Sequence, residues 1–186
     1  MQLTNKINEF LNLINQAKKI VVLTGAGIST ESGLPDFRSD DGFWTKNKPI
    51  FFKEFLQDEE SRKLSWIRNF ELKEKLKTIK PNSGHVFVRD LINRSSGHYL
   101  ITQNIDGLHS IAGLDDKKII EIHGNATKAS CLNCYKEFNP GIFHDSVLND
   151  IDIPDCDECG SLVKVSTISF GQPMNEKDHT DAMYLT

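Results

Sequence analysis

Two cysteine pairs, Cys131-x-x-Cys134 and Cys156-x-x-Cys159, are separated by 21 residues and give the sharpest chemical signal in the chain. A CxxC turn presents two thiolates to one point, and two such turns supply the four soft ligands of a tetrahedral Zn2+ site. All four cysteines are used, so no ligand position stays open, which favours a structural ion over a catalytic one. The competing reading, a thioredoxin-like redox pair, asks for one CxxC at a helix start and gives the second pair no purpose. A second signal is Gly25-Ala26-Gly27-Ile28-Ser29, where missing Cβ atoms let backbone amides approach a pyrophosphate. Thr30 occupies the third glycine position of G-x-G-x-x-G, so a tight turn between strand and helix explains the same residues. The third signal is polar: Gln103-Asn104-Ile105-Asp106-Gly107 and Glu121-Ile122-His123-Gly124. Asn104 and Asp106 can donate to and accept from a carboxamide, and His123 is a natural general base near neutral pH. The blander reading makes Asn104 and Asp106 turn caps and His123 an interior histidine.

The surrounding elements decide whether these groups can meet. Ile7, Phe10, Leu11, Ile14 and Ala17 recur at helical spacing and predict an opening helix with one apolar face. Residues 20–24 form a short β-branched run ended by Gly25, the pattern of a parallel strand buried on both faces. Helix, strand and glycine turn in that order indicate an α/β fold. Residues 32–49 are polar and too long for a simple connector, which suggests a functional loop. Residues 51–80 read as mostly helical, with Phe55, Leu64, Ile67, Phe70, Leu72, Leu76 and Ile79 as core positions and Pro81 as the stop. Val86, Phe87 and Leu91 suggest a short helix, and residues 99–102 and 118–122 two further strands. Ligands of open parallel sheets bind outside the carboxyl ends of the strands, so the three polar motifs should converge on one crevice. Residues 131–164 change character and read as an inserted metal module.

Composition narrows the function classes. Lys and Arg number 22 against 26 Asp and Glu, a net charge of −4, and no basic stripe gathers to neutralise phosphates; a nucleic-acid partner is not expected. Hydrophobic residues at 38% and charged residues at 26% suit a soluble globular protein of one generous domain, or one with a small insert. The longest apolar run, residues 20–23, falls far short of the roughly 20 residues of a membrane helix. The first 19 residues resemble neither a signal peptide nor a presequence. A cytoplasmic protein with reduced thiols is expected.

Taken in order, Gly25-Ala26-Gly27-Ile28-Ser29, Gly33-Leu34-Pro35-Asp36-Phe37-Arg38-Ser39, Thr102-Gln103-Asn104-Ile105-Asp106-Gly107-Leu108-His109, Glu121-Ile122-His123-Gly124, the cysteine quartet and Phe170-Gly171 resemble the sirtuin family. These are NAD-dependent protein deacylases with a Rossmann-type parallel-sheet domain and an inserted small zinc-ribbon module. The resemblance implies a Rossmann-type domain of residues 1–126 and 165–186, a zinc module of 127–164, and a helical segment 51–80 belonging to the small domain. By the same resemblance Ala26, Ile28, Asp36, Phe37 and Arg38 form a loop over NAD, with Gly25 and Gly27 by its phosphates. Gln103, Asn104, Ile105 and Asp106 line the nicotinamide and inner-ribose pocket, and His123 activates a ribose hydroxyl. Ile168, Phe170 and Gly171 flank the acyl-lysine of a protein or peptide substrate, held as an added strand. The implied cofactors are NAD and Zn2+, and the implied products free lysine, nicotinamide and O-acyl-ADP-ribose. Rival readings are a mono-ADP-ribosyltransferase, an NAD hydrolase, or a catalytically weak binding module.

Three departures from the family pattern accompany the resemblance. Gln172 stands where many members carry an acid. Members that remove acidic acyl groups resemble one another in a Tyr-x-x-Arg motif, of which Ser65-Trp66-Ile67-Arg68 keeps only the arginine, so an acetyl or longer uncharged acyl group is expected. The sequence also reaches Thr186 before the Gly-Thr-Ser motif and later Asn that hold the outer phosphate and adenine ribose. The Rossmann-type domain is therefore expected to be incomplete in its C-terminal half, with weakened NAD affinity and little turnover.

Overall fold

A computed structural model describes residues 2–36, 40, 42, 47–150 and 152–186. Helix α1 (Gln2–Gln16) leads into β1 (Val21–Thr24), and a 3-10 turn follows at Ala26–Ser32. Helices α2 (Phe52–Gln57), α3 (Glu59–Leu76) and α4 (Ser83–Asn93) then precede β2 (Tyr99–Thr102). Helix α5 (Leu108–Ile111) connects to β3 (Ile119–Glu121). Strands β4 (Gly124–Cys131) and β5 (Glu137–Phe138), helix α6 (His144–Leu148), β6 (Val163–Thr167) and α7 (Glu176–Leu185) complete the order. No helix among the described residues is long and apolar enough to cross a membrane.

β1, β2 and β3 form a parallel sheet in that spatial order, the Rossmann-type arrangement read from the sequence. Its register sets Thr24 beside Thr102 and Thr102 beside Glu121. The loops opening at Gly25, Gln103 and Ile122 therefore leave from one row, as parallel strands with matched ends require. Val88 and Ile92 of α4 pack on Leu100 and Leu114 beneath the sheet. The second sheet is antiparallel, ordered β5-β4-β6. Trp66 and Phe70 of α3 pack against its Ala129, Val163 and Val165 together with Val147.

Several core expectations fail. Leu23 is 64% exposed, so β1, at the edge of the described sheet, is not buried on both faces. The apolar stripe of α1 exists but Ile7, Phe10 and Leu11 are exposed, while Ile14 and Ala17 are half-buried. The segment 51–80 is two helices, because Asp58 is extended (φ −123°, ψ 123°) and its carboxylate accepts from Ser61 N to start α3. That helix turns Trp66 inward and leaves Leu64 exposed. In α4 Val88 and Ile92 are buried with Leu91, whereas Val86 and Phe87 face outward.

Candidate active site

At the carboxyl ends of β1 and β2 the sheet closes over a buried polar network rather than over apolar side chains. Ser29 is its centre: its hydroxyl donates to Asp106 Oδ2 at 2.7 Å and accepts from Asn104 Nδ2 at 3.2 Å. His85 Nε2 lies 3.4 Å from the same oxygen. His85 Nδ1 lies 3.3 Å from the Asn82 backbone N and 3.1 Å from Asn82 Oδ1, so Asn82 meets it with both a donor and an acceptor, and its tautomer sets whether Nε2 gives a proton to Ser29 or takes one. Thr24 Oγ1 donates to Thr102 Oγ1 at 2.9 Å and sits 3.1 Å from His109 Nε2. The centroids of the two histidine rings are 4.8 Å apart, their planes tilted by 53°. Burial, with the neighbouring His85 adding to it, lowers the His109 pKa to about 4; burial also lowers that of His85, so both rings are neutral at pH 7.

Two atoms of this network lack partners among the described residues, Asn104 Oδ1 and His109 Nδ1. A buried carbonyl oxygen without a donor is costly, and a ligand amide is one way to satisfy it. Asp106 also plays the blander role, its Oδ1 accepting from Leu108 N at 2.9 Å at the start of α5, whereas the Asn104 side chain donates to Ser29 and caps no turn among the described residues. The glycine loop borders the network. Among the described residues a Cβ on Gly27 would meet no atom within 4 Å, and one on Gly25 only Gln103 Oε1 at 3.6 Å. The packing of the described residues therefore does not demand glycine at either position.

His123 follows β3, half-buried, with Nδ1 3.0 Å from the Gln103 carbonyl oxygen. That oxygen can only accept, so Nδ1 carries the hydrogen and Nε2 is the basic nitrogen. The next residue, Gly124, has φ +74°, and a Cβ there would lie 1.8 Å from the Ser166 carbonyl oxygen. Only glycine allows this crossing of two backbones. Ile168 N donates to the His123 carbonyl at 2.8 Å, and Phe52 N to the Phe170 carbonyl at 2.9 Å. Residues 168–170 thus bridge from the histidine loop to the start of α2, with the Phe51 and Phe170 rings 6.0 Å apart. Gln172 closes the turn with its Oε1 accepting from Ser169 N.

The cysteine quartet gathers as its spacing predicts. All four Sγ atoms lie within 4.8 Å of one another, with Cys131 and Cys159 at 3.4 Å and Cys134 and Cys156 at 3.6 Å. A tetrahedron of Zn–S bonds near 2.3 Å has edges of about 3.8 Å, so the donors fit Zn2+. The two turns repeat one design: Cys131 N donates to Lys136 O, Cys156 N to Ser161 O, and Tyr135 (φ 61°) and Gly160 (φ 68°) follow the second cysteine of each. Lys136 Nζ reaches Asp157 and Glu158 and ties one turn to the other. Two convergent pairs outside helices leave no ground for the redox reading.

Gly25, Ala26, Gly27, Ile28, Gln103, Asn104, Ile105 and Asp106 lie together at the ends of β1 and β2, with half-buried Asp36 in the chain that follows. Phe37 and Arg38 fall outside the described residues. In the sequence His85 has no role, Thr24 only a place in a strand, and Ser29 and His109 only places in motifs; an Asn-x-x-His helix start at Asn82 was the available signal for His85. A model of the Sir2 family matches residues 25–185. The chain is 42% identical over 178 residues to NAD-dependent protein deacetylase 1 of Bradyrhizobium diazoefficiens, covering 94% of this chain and 68% of that protein. It is 36% identical over 186 residues to an NAD-dependent protein deacetylase of Thermotoga maritima, covering 97% and 72%. Among solved structures, a Sir2 variant with a deacetylated p53 peptide and 3′-O-acetyl ADP-ribose is 34% identical at TM-score 0.79, with 96% of this chain and 71% of that chain covered. A match that runs through all three strand-end loops and both CxxC turns shows that the chain belongs to the Sir2 family.

Proposed function

We propose that the chain is an NAD-dependent protein-lysine deacylase, acting on acetyl or longer uncharged acyl groups and releasing nicotinamide and O-acyl-ADP-ribose. The observation that carries this reading is the convergence of three motif loops on one row of strand ends, around the unpartnered Asn104 Oδ1. NAD held there supplies a weakened bond to nicotinamide and a pair of ribose hydroxyls. Asn104 Oδ1 would accept from the carboxamide N–H, and Asp106, fixed by Ser29 and Leu108 N, keeps a carboxylate beside it. Gly25 and Gly27 would admit the phosphates to the backbone, with Ala26, Ile28, Asp36, Phe37 and Arg38 covering them and excluding water. His123 Nε2 would take the proton of a ribose hydroxyl, its tautomer fixed through Gln103. Ile168, Phe170 and Gly171 would border the acyl-lysine peptide.

The preference for an uncharged acyl group is supported by Arg68, whose Nη1 donates to the Lys48 carbonyl at 2.7 Å and is thereby engaged in holding backbone. We assign residues 1–126 and 165–186 to the NAD-binding unit and 127–164, with the helical segment 51–80, to the zinc-bearing one; the packing of Trp66 and Phe70 on β4 and β6 supports the latter. A cytoplasmic location accords with four cysteines free of disulfides. The test is nicotinamide release measured with and without acetyl-lysine peptide. Release that depends on the peptide and yields free lysine is expected; release independent of it would make the protein an NAD hydrolase and overturn the reading.

A further inference from the structure

Lys164, the second residue of β6, is only 2% exposed, where an unpaired ammonium would be strongly disfavoured. Among the described residues its pairing partners are all backbone or aromatic. The β4–β6 ladder jumps between Gly124↔Thr167 and Ala129↔Val165, with five residues of one strand spanned against two of the other. Over this gap Lys164 Nζ donates to the carbonyls of Val165 and Thr167. The same ammonium lies 5.8 Å over the ring of Phe55, which is fully buried in α2. Burial holds its pKa down to about 8. Immediately beyond Thr167 comes the bridge already described, Ile168 N to His123 O and Phe52 N to Phe170 O.

One buried amine therefore anchors three pieces: the break in β6, the helix that begins at the Phe170 contact, and the chain that leaves for the histidine loop. We infer that Lys164 is a positioning residue for the acyl-lysine peptide, setting the path of residues 168–171 between His123 and α2 without touching substrate or NAD. The inference rests on the deacylase reading for its kinetic consequence, but not for its structural one. An apolar residue of similar length leaves the Val165 and Thr167 carbonyls without their donor, so the segment loosens where the peptide would add its strand. Arginine keeps both charge and donors.

The test compares Lys164→Met and Lys164→Arg with the parent, all zinc-loaded. For Lys164→Met, KM for an acetyl-lysine peptide is expected to rise about tenfold, with NAD affinity within twofold and one zinc retained per chain; Lys164→Arg should recover at least half of that loss on a logarithmic scale. Amide exchange at Phe52 and Ile168 should quicken in Lys164→Met while the β4–β6 amides of residues 129–131 and 163–165 stay protected. Peptide KM unchanged in a folded Lys164→Met, or NAD and peptide affinities falling together, would overturn the inference. If the parent itself shows no peptide-dependent nicotinamide release, the deacylase reading fails, and the exchange measurement alone decides: unchanged exchange at Phe52 and Ile168 removes Lys164 from the role.

Discussion

The two sheets spend their interiors differently. The antiparallel sheet buries aromatic and branched side chains around Trp66 and seals its outer end with four thiolates. The parallel sheet has a smaller apolar cluster around Ile92 and Leu100, and buries Thr24, Ser29, His85, Thr102, Asn104, Asp106 and His109 at its strand ends. Metal bonds and aromatic packing can hold shape without directed polar groups. A crevice that must recognise a dinucleotide needs polar groups in low dielectric, each satisfied by protein or ligand. Stability and recognition are thus separated in space, and variants in the two regions should fail in different ways.

The largest effect is expected at the metal. Cys131→Ser, or prolonged chelation, should unfold the antiparallel sheet and abolish activity with it, since structural zinc contributes on the order of 10 kcal/mol to such sites. Metal analysis alongside circular dichroism checks this, and a well-folded chain with far less than one zinc would refute it. His123→Ala should fail in the opposite manner, losing about 10² to 10⁴ in turnover while folding and NAD binding stay close to the parent. Turnover within a few-fold of the parent would remove His123 as the base.

Ser29→Ala strips a donor from Asp106 and an acceptor from Asn104, and removes the oxygen beside His85 Nε2. NAD affinity should weaken about tenfold to a hundredfold, with zinc content unchanged; calorimetric titration showing unaltered binding would mean that the network does not shape the pocket. The smallest effect concerns pH. His109 has a folded pKa of about 4 against an ordinary 6.5, so between those values the unfolded chain binds more protons than the native one. Its contribution is complete above about pH 6.5 and is lost as pH falls toward 4, with a slope near 1 kcal/mol per pH unit. Urea midpoints measured at pH 6 and pH 5 should separate accordingly, and His109→Gln should flatten the difference; an equal slope in the variant would count against it.

Spacing alone made the cysteine site legible, because CxxC is a local device whose geometry is written in adjacent residues. The β2 strand, residues 99–102, was equally plain from its run of apolar residues. What sequence left hidden depends on tertiary approach. Nothing near Ser29 announces that it will meet Asp106 and His85 across 77 and 56 positions of chain. Helical periodicity marked Leu64 as core, yet which face of a helix turns inward is set by the neighbour it finds, and α3 turns Trp66. Leu23 reads as buried because β-branched runs usually lie between covering layers, and among the described residues no layer covers that side chain. Nothing in its own segment sets Lys164 apart, and only the jump in strand register offers it two carbonyls.

The backbone crossing at Gly124 acts as a seam inside the antiparallel sheet, pressing the start of β4 onto the end of β6 where a Cβ would lie 1.8 Å from the Ser166 carbonyl oxygen. His123 is one residue before that seam and Ile168 one residue after β6, and the two are joined by Ile168 N donating to the His123 carbonyl. A methyl group at 124 should therefore part the strands and release the histidine loop from residues 168–170 together. Gly124→Ala is expected to quicken amide exchange at Ile168, and unaltered exchange there would show that the seam does not hold the loop.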